Sequence, residues 1–297
     1  MEIKSYHKND FMKLNIFKNI FHNKNSKIVI DKFNRLNNIS DEICLLDIVS
    51  LVYKQYTDKH NFNKTMKCTN IPFIIGMNGS VSSGKSFFAD ILRDSLLCFP
   101  GIKNVSVLST DCFLYSNEVL KKKQIFDKKG FPISYNWELI IKTLQKIKSN
   151  KIIKIPYYNQ NISNIDKNKQ HVNNNQDIII IEGINILKPP CLSDINIDRI
   201  LLSDFFDYSL YIDASNSILK NWFYQRLLQK KKLWLSKNIK HQLTTLNTQK
   251  FKQFSDNIWD SINKVNLEEN IYPYRNRSNL IIVKDKYHKI YKVVYNR

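Results

Sequence analysis

The residues from 79 to 86 form the stretch of this chain with the clearest chemistry. They fit the pattern G-x-x-x-x-G-K-[ST] at every fixed position, and they are Gly79, Ser80, Val81, Ser82, Ser83, Gly84, Lys85 and Ser86. The glycines let the backbone curl so that successive N–H groups face a phosphate. Lys85 can then reach the β- and γ-phosphates of a nucleotide, and the Ser86 hydroxyl can ligate Mg²⁺. The stretch predicts a nucleoside triphosphate site.

The elements on either side of this stretch are those that the motif requires. Residues 71–77 form a short apolar run suited to a buried strand, and apolar residues at helical spacing follow at Phe88, Ile91, Leu92 and Leu96. This order of strand, loop and helix brings the phosphates to a helix N-terminus, which carries partial positive charge. A chance match is the alternative. The chain has only 6 glycines, so two at this spacing, followed by Lys-Ser, favour the phosphate site.

Two carboxylates follow predicted strands and are candidates for the chemistry. Asp111 comes after the strand at 104–109, and Glu182 ends the all-isoleucine run 178–181. Ligands of open α/β sheets lie beyond the carboxyl ends of the strands. We therefore expect Asp111 to act as general base toward an acceptor hydroxyl, and Glu182 to hold Mg²⁺ or its water. The alternatives are a capping or turn aspartate at 111 and a salt bridge of Glu182 at the sheet edge.

Arg226 completes the predicted catalytic set. It lies on a helix that Ser215 can cap, shortly before the basic stretch from 230 to about 250, which lacks a clear pattern and suits a mobile lid. From there the guanidinium could neutralise charge on the transferring phosphoryl group. An exposed helical arginine without a catalytic role is an equally fair alternative.

The composition argues against several classes of protein. No apolar run approaches the roughly 18 residues that span a bilayer, and the first residues lack a secretory hydrophobic region. The cysteines are 5, an odd number without paired spacing, which favours free thiols and a cytoplasmic location. Dispersed histidines, without H-E-x-x-H or C-x-x-C, argue against a zinc site.

The formal net charge of +20 permits two interpretations. A basic chain can bind nucleic acid or steer anionic substrates. However, the lysines are scattered through a chain that is also rich in Asn, Ile, Phe and Tyr, and the clusters 121–123 and 230–232 are short. We interpret most of the charge as compositional bias, and we expect neither a nucleic-acid partner nor a membrane partner.

The pattern of elements predicts an α/β fold with a mostly parallel central sheet and helices on both faces. The predicted strands are 71–77, 104–109, 152–158, 178–181, 207–213 and 280–283, and the predicted helices include 137–147 and about 251–270. The Asn- and Lys-rich stretch from 159 to 177 is expected to be a solvated loop. Residues 1–70 are expected to form a helical segment that packs on the core, with a helix starting near Ser40. Residues 71–297 are expected to form one domain.

These motifs resemble those of the bacterial type I pantothenate kinases, a family with the P-loop kinase fold and a helical lid region. The resemblance runs from roughly residue 40 to the C-terminus. Besides residues 79–86, the segments that carry it are 109–114, 128–135, 181–187, 203–214, 222–226 and 270–277. The phosphate-binding loop is common to a superfamily, whereas the Gly-Phe-Pro-x-Ser-Tyr and Ser-Asp-Phe segments are far more specific.

The resemblance implies ATP-dependent phosphorylation of pantothenate to 4′-phosphopantothenate, the first step toward coenzyme A. It also implies a homodimer that uses ATP and Mg²⁺. At the matching positions, Asp111 is the base that activates the pantothenate hydroxyl, while Lys85 and Arg226 steady the phosphates. Residues 71–297 are then a P-loop kinase domain whose lid is the stretch at about 230–250.

The resemblance also assigns residues that contact the two substrates. Tyr158 and Asn263 contact pantothenate, and His288 lies against the adenine ring. Phe223 stands where the family has a tyrosine that contacts pantothenate, so the ring is kept and the hydroxyl is lost. Tyrosine and asparagine suit this substrate, because its amide and hydroxyls need partners in a buried pocket.

Other departures concern coenzyme A, which inhibits the family by feedback. Asp90 replaces an arginine that helps to bind coenzyme A, Gln160 replaces a histidine, and Lys230 occupies what is an aromatic-rich pocket in the family. The catalytic groups remain while inhibitor contacts do not. We therefore expect weakened feedback by coenzyme A, with relaxed selection on the sequence as an alternative explanation of the changes.

Three other functions compete with this interpretation. A uridine kinase- or phosphoribulokinase-like activity would use the same scaffold, but the Gly-Phe-Pro and Ser-Asp-Phe segments argue against it. A basic nucleic-acid-binding P-loop protein would show a basic stripe with interleaved aromatic residues. An inactive scaffold protein would not be expected to keep Lys85, Ser86, Asp111 and Glu182.

Overall fold

A seven-stranded sheet forms the centre of the protein. The computed structural model describes residues 3–20, 29–31, 42–68, 71–160, 162–173, 175–189, 200–239 and 242–296. The strands of the sheet are β1 (Ile3–His7), β2 (Phe73–Gly79), β3 (Val105–Ser109), β6 (Ile178–Glu182), β7 (Tyr208–Asp213), β8 (Leu280–Lys284) and β9 (Ile290–Asn296). A separate hairpin consists of β4 (Ile153–Asn159) and β5 (Asn164–Asn173).

The order of strands in the sheet is β1-β9-β8-β7-β2-β6-β3. The five strands from β8 to β3 run parallel to one another, whereas β9 is antiparallel to both β8 and β1. The α/β fold with a mostly parallel sheet is therefore confirmed. Because the parallel strands end at one edge, that edge collects the phosphate-binding loop, the segment that carries Asp111, and Glu182.

Helices cover both faces of this sheet. They are α1 (Lys8–Met12), α2 (Ile16–Ile20), α3 (Glu42–Thr65), α4 (Lys85–Leu96), α5 (Asn117–Lys122), α6 (Trp137–Lys148), α7 (Asn216–Ser236), α8 (Thr248–Ile258) and α9 (Lys264–Asn266). Turns of the π type at Trp259–Asn263 and Leu267–Ile271 join α8 and α9 into a longer helical run. The Asn136 side chain caps α6, accepting from the Leu139 N–H at 3.0 Å.

Side chains of β6 alternate between two hydrophobic cores. Ile178 and Ile180 belong to the core shared with α3 and α4, whereas Ile179 and Ile181 belong to the core shared with α6 and α7. Burial on both faces explains why the four residues 178–181 of this strand are all isoleucine. Each such side chain contributes about 1.5–3 kcal/mol on leaving water.

The prediction of a solvated loop from 159 to 177 is wrong. Residues Asn164–Asn173 form β5, which pairs antiparallel with β4 from Asn173 opposite Ile153 to Asn164 opposite Asn159. Polar composition suggested a loop, but the strand is defined by backbone hydrogen bonds to its neighbour, and these do not require apolar side chains.

Residues 1–70 were predicted to be helical, but the N-terminal segment also contains a strand. Ile3–His7 is the edge strand β1, which pairs with β9, and neither strand was predicted. The side chains of β1 are mostly exposed, so it lacks the alternation of a half-buried strand. Helix α3 does pack on the core, through residues from Cys44 to Tyr56. The division of the chain near residue 70 stays a prediction.

The region predicted as a lid begins inside a helix. Helix α7 continues through Ser236, and after it Leu243 is buried while Lys231 Nζ donates to the Leu246 carbonyl at 2.5 Å. Mobility of the stretch at 230–250 stays a prediction. Ser215 lies at the N-cap of α7, but its side chain makes no capping hydrogen bond to the helix backbone.

The start of α3, the cysteine thiols and the character of the helices bear on the other predictions made from the sequence. Ser40 and Cys191 lie outside the described residues, and α3 begins at Glu42. Thiols occur at Cys44, Cys68, Cys98 and Cys112 in reduced form. Among the helices in the described ranges, none combines the length and the apolar character that crossing a membrane requires.

Candidate active site

The phosphate-binding loop leaves β2 at Gly79 and enters α4 at Lys85. Gly84 has a φ of +85°, a left-handed conformation that glycine adopts without strain. Ser82 also has a positive φ, +63°, which is unusual for a residue with a side chain and typical of ligand-binding loops. The Lys85 ammonium donates to the Ser80 carbonyl at 2.7 Å. The loop is curled as the motif predicts.

Several hydroxyls of this loop are buried without hydrogen-bond partners among the described residues. They are the Oγ atoms of Ser80, Ser82 and Ser83. A buried polar group left unsatisfied costs about 1–3 kcal/mol, so native proteins keep such groups where a ligand or water supplies the partner. The loop therefore has the properties of a ligand-binding site.

Lys85 is buried in a cluster of ionisable groups. Burial lowers the pKa of its ammonium to about 8, while Glu182 and Asp111 act in the opposite direction and Arg226 adds to the lowering. An ammonium in such surroundings gains stability when an anion binds beside it. The structure thus brings together four of the predicted site residues.

Asp111 lies two residues beyond the end of β3, in the 3₁₀ turn Thr110–Phe113. Its backbone N–H donates to the Ser109 hydroxyl at 3.3 Å. Burial and then the Glu182 carboxylate raise the pKa of Asp111 to about 6, and Lys85, a hydrogen bond from Gln160 and Arg226 oppose that rise. The carboxylate is therefore ionised at neutral pH and more basic than an ordinary aspartate, as a general base requires.

The ends of β3 and β6 approach each other closely. In the parallel pairing Ser109 lies opposite Glu182, the last residue of β6. A Cβ on the next residue, Gly183, would lie 2.2 Å from Thr110 Oγ1, so a larger residue would push the two strand ends apart. This close approach brings the Glu182 and Asp111 carboxylates to one place on the sheet edge.

The oxygen atoms at this edge fit a magnesium ion. Ser86 Oγ donates to Glu182 Oε1 at 3.2 Å, which joins the first turn of α4 to the end of β6. Magnesium prefers oxygen ligands and usually takes only one or two from the protein, the others coming from phosphates and water. Among the described residues no cluster of three or more His, Cys, Asp and Glu side chains suits a metal. The Ser86 hydroxyl and the Glu182 carboxylate, beside a phosphate-binding loop, match the one or two protein ligands that magnesium usually takes.

A cavity of about 580 Å³ opens beside the loop. Its lining includes Lys85 and Ser86 from α4, Trp222 and Arg226 from α7, and His288 from the turn between β8 and β9. The His288 ring stacks on the Trp222 indole, with ring centroids 3.9 Å apart and an angle of 15° between the planes. Burial and then Lys284 lower the pKa of His288. A neutral imidazole on an indole forms a flat aromatic surface suited to a purine base.

Of the residues predicted to contact the acceptor, Tyr158 lies near Asp111, whereas Phe223 of α7 packs on the π-type turn that contains Asn263. Burial and Asp111 raise the pKa of the Tyr158 hydroxyl to about 12, and Lys129 Nζ lies 5.5 Å from the centroid of the same ring. The Phe223 ring packs against Trp259 with centroids 5.8 Å apart. Asn263 follows Trp259 by one helical turn, and its Nδ2 is buried without a partner among the described residues.

Comparisons with known proteins show that this chain is similar to kinases of small molecules. Residues 74–231 match the model of the phosphoribulokinase/uridine kinase family. The pantothenate kinase of Bacillus subtilis is 39% identical over 240 residues, covering 80% of this chain and 75% of that protein. The pantothenate kinase of Streptococcus mutans is 35% identical over 277 residues, covering 88% of each. That of Coxiella burnetii is 37% identical over 229 residues, covering 75% and 71%.

The chain belongs to the pantothenate kinase family. Among solved structures, the YGR205w protein superposes with a TM-score of 0.56 at 20% identity, covering 84% of this chain and 99% of that one. This likeness concerns the fold alone. The family and the fold together confirm the resemblance drawn from the motifs, and they confirm a P-loop kinase fold.

Four residues near the candidate site have contacts that the sequence did not predict. Gln160, beside Asp111, was noted only as a departure from the family, and Trp222, under His288, only as part of the segment 222–226. Lys129, over Tyr158, and Lys284, behind the phosphate loop, had no assigned role. Their partners are far away in the sequence, so spacing could not reveal them. The positive φ of His288, +64°, is likewise a property of the folded turn.

Proposed function

We propose that this protein transfers the γ-phosphoryl group of ATP to the hydroxyl of pantothenate, forming 4′-phosphopantothenate and ADP. The observation that supports this most directly is the half-buried Asp111 carboxylate, whose charge interacts with Lys85 of the phosphate loop. A kinase for a small alcohol needs this pair, because one group accepts the hydroxyl proton and the other binds the phosphates. The identities of 35–39% with pantothenate kinases support the choice of alcohol.

In this proposal the proton and the phosphoryl group move in opposite directions. The pantothenate hydroxyl oxygen attacks the γ-phosphorus, its proton passes to the Asp111 carboxylate, and ADP leaves. Lys85 and Arg226 stabilise the negative charge on the transferring group. Ser86 and Glu182 would hold Mg²⁺, which neutralises phosphate charge when it is bound.

Binding of the two substrates is assigned to separate sets of residues. The loop Gly79, Ser80, Val81, Ser82, Ser83, Gly84, Lys85 and Ser86 takes the phosphates, and His288 with Trp222 takes adenine. Tyr158 and Asn263 bind pantothenate, and Phe223 supplies an apolar wall in place of a tyrosine. The unpartnered Asn263 amide suits a substrate that itself carries an amide and hydroxyls.

Further proposals follow from the resemblance. The protein would be a homodimer of the cytoplasm, and coenzyme A would inhibit it only weakly. Asp90, which stands where the family has an arginine, is paired with Arg93 at 2.7 Å on the exposed side of α4. Lys230 lies close enough to Arg226 for the two charges to repel, and burial followed by that repulsion lowers the pKa of Lys230. Neither position offers the contacts that the family uses for the inhibitor.

The experiment that tests the proposal compares the wild type with Asp111→Asn, using ATP and pantothenate. We expect D111N to lower kcat about 1,000-fold, since positioned general bases contribute about 10²–10⁴. The affinity for ADP should stay within about threefold. Asp127→Asn, the same change on an exposed turn, is the matched control and should leave the rate unaltered.

Two results would contradict the assignment. Full activity of D111N would remove Asp111 as the base. A wild type that phosphorylates uridine or ribulose 5-phosphate, and not pantothenate, would favour the second candidate, which the match to the phosphoribulokinase/uridine kinase model keeps open.

A further inference from the structure

Lys284 is a second buried lysine at the phosphate-binding loop, and the proposed reaction does not use it. It ends β8, the strand whose Leu280 and Ile282 side chains lie in the core shared with α4. Only 5% of Lys284 is exposed. Since lysine is almost never fully buried unless paired, this position needs an explanation.

The Lys284 ammonium contacts the backbone of the loop. Its Nζ donates to the Ser83 carbonyl at 3.3 Å, and it would lie 3.0 Å from a Cβ built on Gly84. Lys284 therefore packs behind the point at which the loop turns into α4. It is absent from the lining of the cavity, so it acts on a ligand through the loop.

The charge of Lys284 has no acidic partner within ion-pair distance in the part of the chain that the structure describes. The charged groups near it are Lys85 from α4, and His288 and Asp285 from the turn after β8. The Asp285 carboxylate accepts the backbone N–H groups of Tyr287 and Lys289 instead. Burial and then Lys85 lower the pKa of Lys284 to about 8.

Two buried lysines thus face one loop, and Lys85 is balanced by Glu182 and Asp111 while Lys284 is not. We propose that Lys284 is a positioning residue that supports the loop from behind and takes up a proton from solvent when nucleotide phosphates bind. The proposal rests on the nucleotide site assigned above. Phosphate charge at the loop offsets the repulsion that Lys284 meets from Lys85, so binding favours the charged form of Lys284.

The test is calorimetric titration of the wild type with Mg·ADP at pH 7 and pH 8, in buffers of different ionisation enthalpy. A lysine with a pKa of about 8 is about half neutral at pH 8, so Lys284 takes up about half a proton when it becomes charged. We expect Lys284 to account for an uptake of about half a proton at pH 8, and for about a fifth of that at pH 7.

Lys284→Met and Lys284→Gln separate this role from general stability. We expect K284M to weaken Mg·ADP binding about tenfold and to lose at least half of the proton uptake at pH 8. K284Q keeps a donor but cannot titrate, so it should lose the uptake with a smaller loss of affinity. Lys289→Met removes a charge from the exposed part of the same turn and should change neither quantity.

The outcomes separate the two proposals. Mg·ADP binding without proton uptake by the wild type, or undiminished uptake by both Lys284 variants, would overturn the role of Lys284 and leave the nucleotide site intact. Failure of the wild type to bind Mg·ADP would overturn both. If neither variant folds, Lys284→Arg, which keeps a positive charge that does not titrate near pH 8, decides the question, because it should bind Mg·ADP with a smaller uptake than the wild type.

Discussion

The nucleotide face and the acceptor face of the site are built in different ways. We refer to residues 79–86 with Glu182 as the nucleotide face, and to the proposed pantothenate contacts Tyr158, Phe223 and Asn263 as the acceptor face. Apart from Glu182, the first is one continuous stretch with a curled backbone, as the positive φ values of Ser82 and Gly84 show. The second draws on a hairpin, a long helix and a π-type turn. Backbone geometry restricts residue types, whereas a side-chain pocket tolerates exchange.

The departures from the family follow this difference in construction. Every fixed position of the loop motif is kept, whereas Phe223, a proposed pantothenate contact, and Gln160, which hydrogen-bonds to Asp111, differ from the residues expected in the family. A substitution in the phosphate-binding loop displaces several backbone N–H groups at once, whereas a substitution in the acceptor face alters the contact of one side chain. Three predictions test this comparison.

The largest expected effect is on the pH dependence of kcat/KM for pantothenate. Asp111 must be ionised to accept a proton, and its pKa is raised to about 6. We therefore expect kcat/KM to fall about tenfold for each pH unit below 6 and to level off above it. The residual rate of D111N should lack this acid limb. A rate that holds constant down to pH 5 would contradict the assignment of Asp111.

A smaller effect is expected for inhibition by coenzyme A. The wild type should need far more than submicromolar coenzyme A for half inhibition. Asp90→Arg should strengthen inhibition about fivefold, because a positive charge replaces a negative one where phosphates are expected to bind. Asp94→Arg, which also breaks an ion pair with Arg93, is the matched control. Submicromolar inhibition of the wild type would show that the departures leave feedback intact.

The smallest effect is expected at Phe223. Phe223→Tyr restores the hydroxyl expected at this position, and one hydrogen bond contributes about 0.5–1.5 kcal/mol. We expect the KM for pantothenate to fall about threefold with the KM for ATP unchanged. Phe126→Tyr, the same change at an exposed position, should alter neither KM. Equal changes in the two KM values for F223Y would show that the two faces are not independent.

The same difference explains how much the sequence could predict. Strands β2, β6 and β7 were predicted because they are buried runs rich in apolar residues, and β3 because it is apolar and partly buried. The loop was predicted because its spacing is fixed by backbone geometry. Of the β4–β5 hairpin, β4 was predicted and β5 was not, because β5 is polar. Tyr158 belongs to β4 of this hairpin. Tyr158 and Asn263 were reached only through the family resemblance.

Other contacts depend on distant partners and could not be predicted at all. The stacking of Trp222 on His288 joins α7 to the turn after β8. Lys284 directly follows the predicted apolar strand 280–283. Nothing in the sequence around it indicates that its ammonium contacts the Ser83 carbonyl. Such contacts follow from the order of strands in the sheet, which apolar patterns do not specify.

The pairing of β1 with β9 has a consequence for the order in which the protein folds. The edge strand β1 precedes the kinase domain in the sequence, yet the strand that it joins follows nearly the whole of that domain. Contacts between such distant segments form slowly. The interior parallel strands can assemble around the nucleotide loop first, so the addition of Ile3–His7 would be a late step that closes the margin of the sheet.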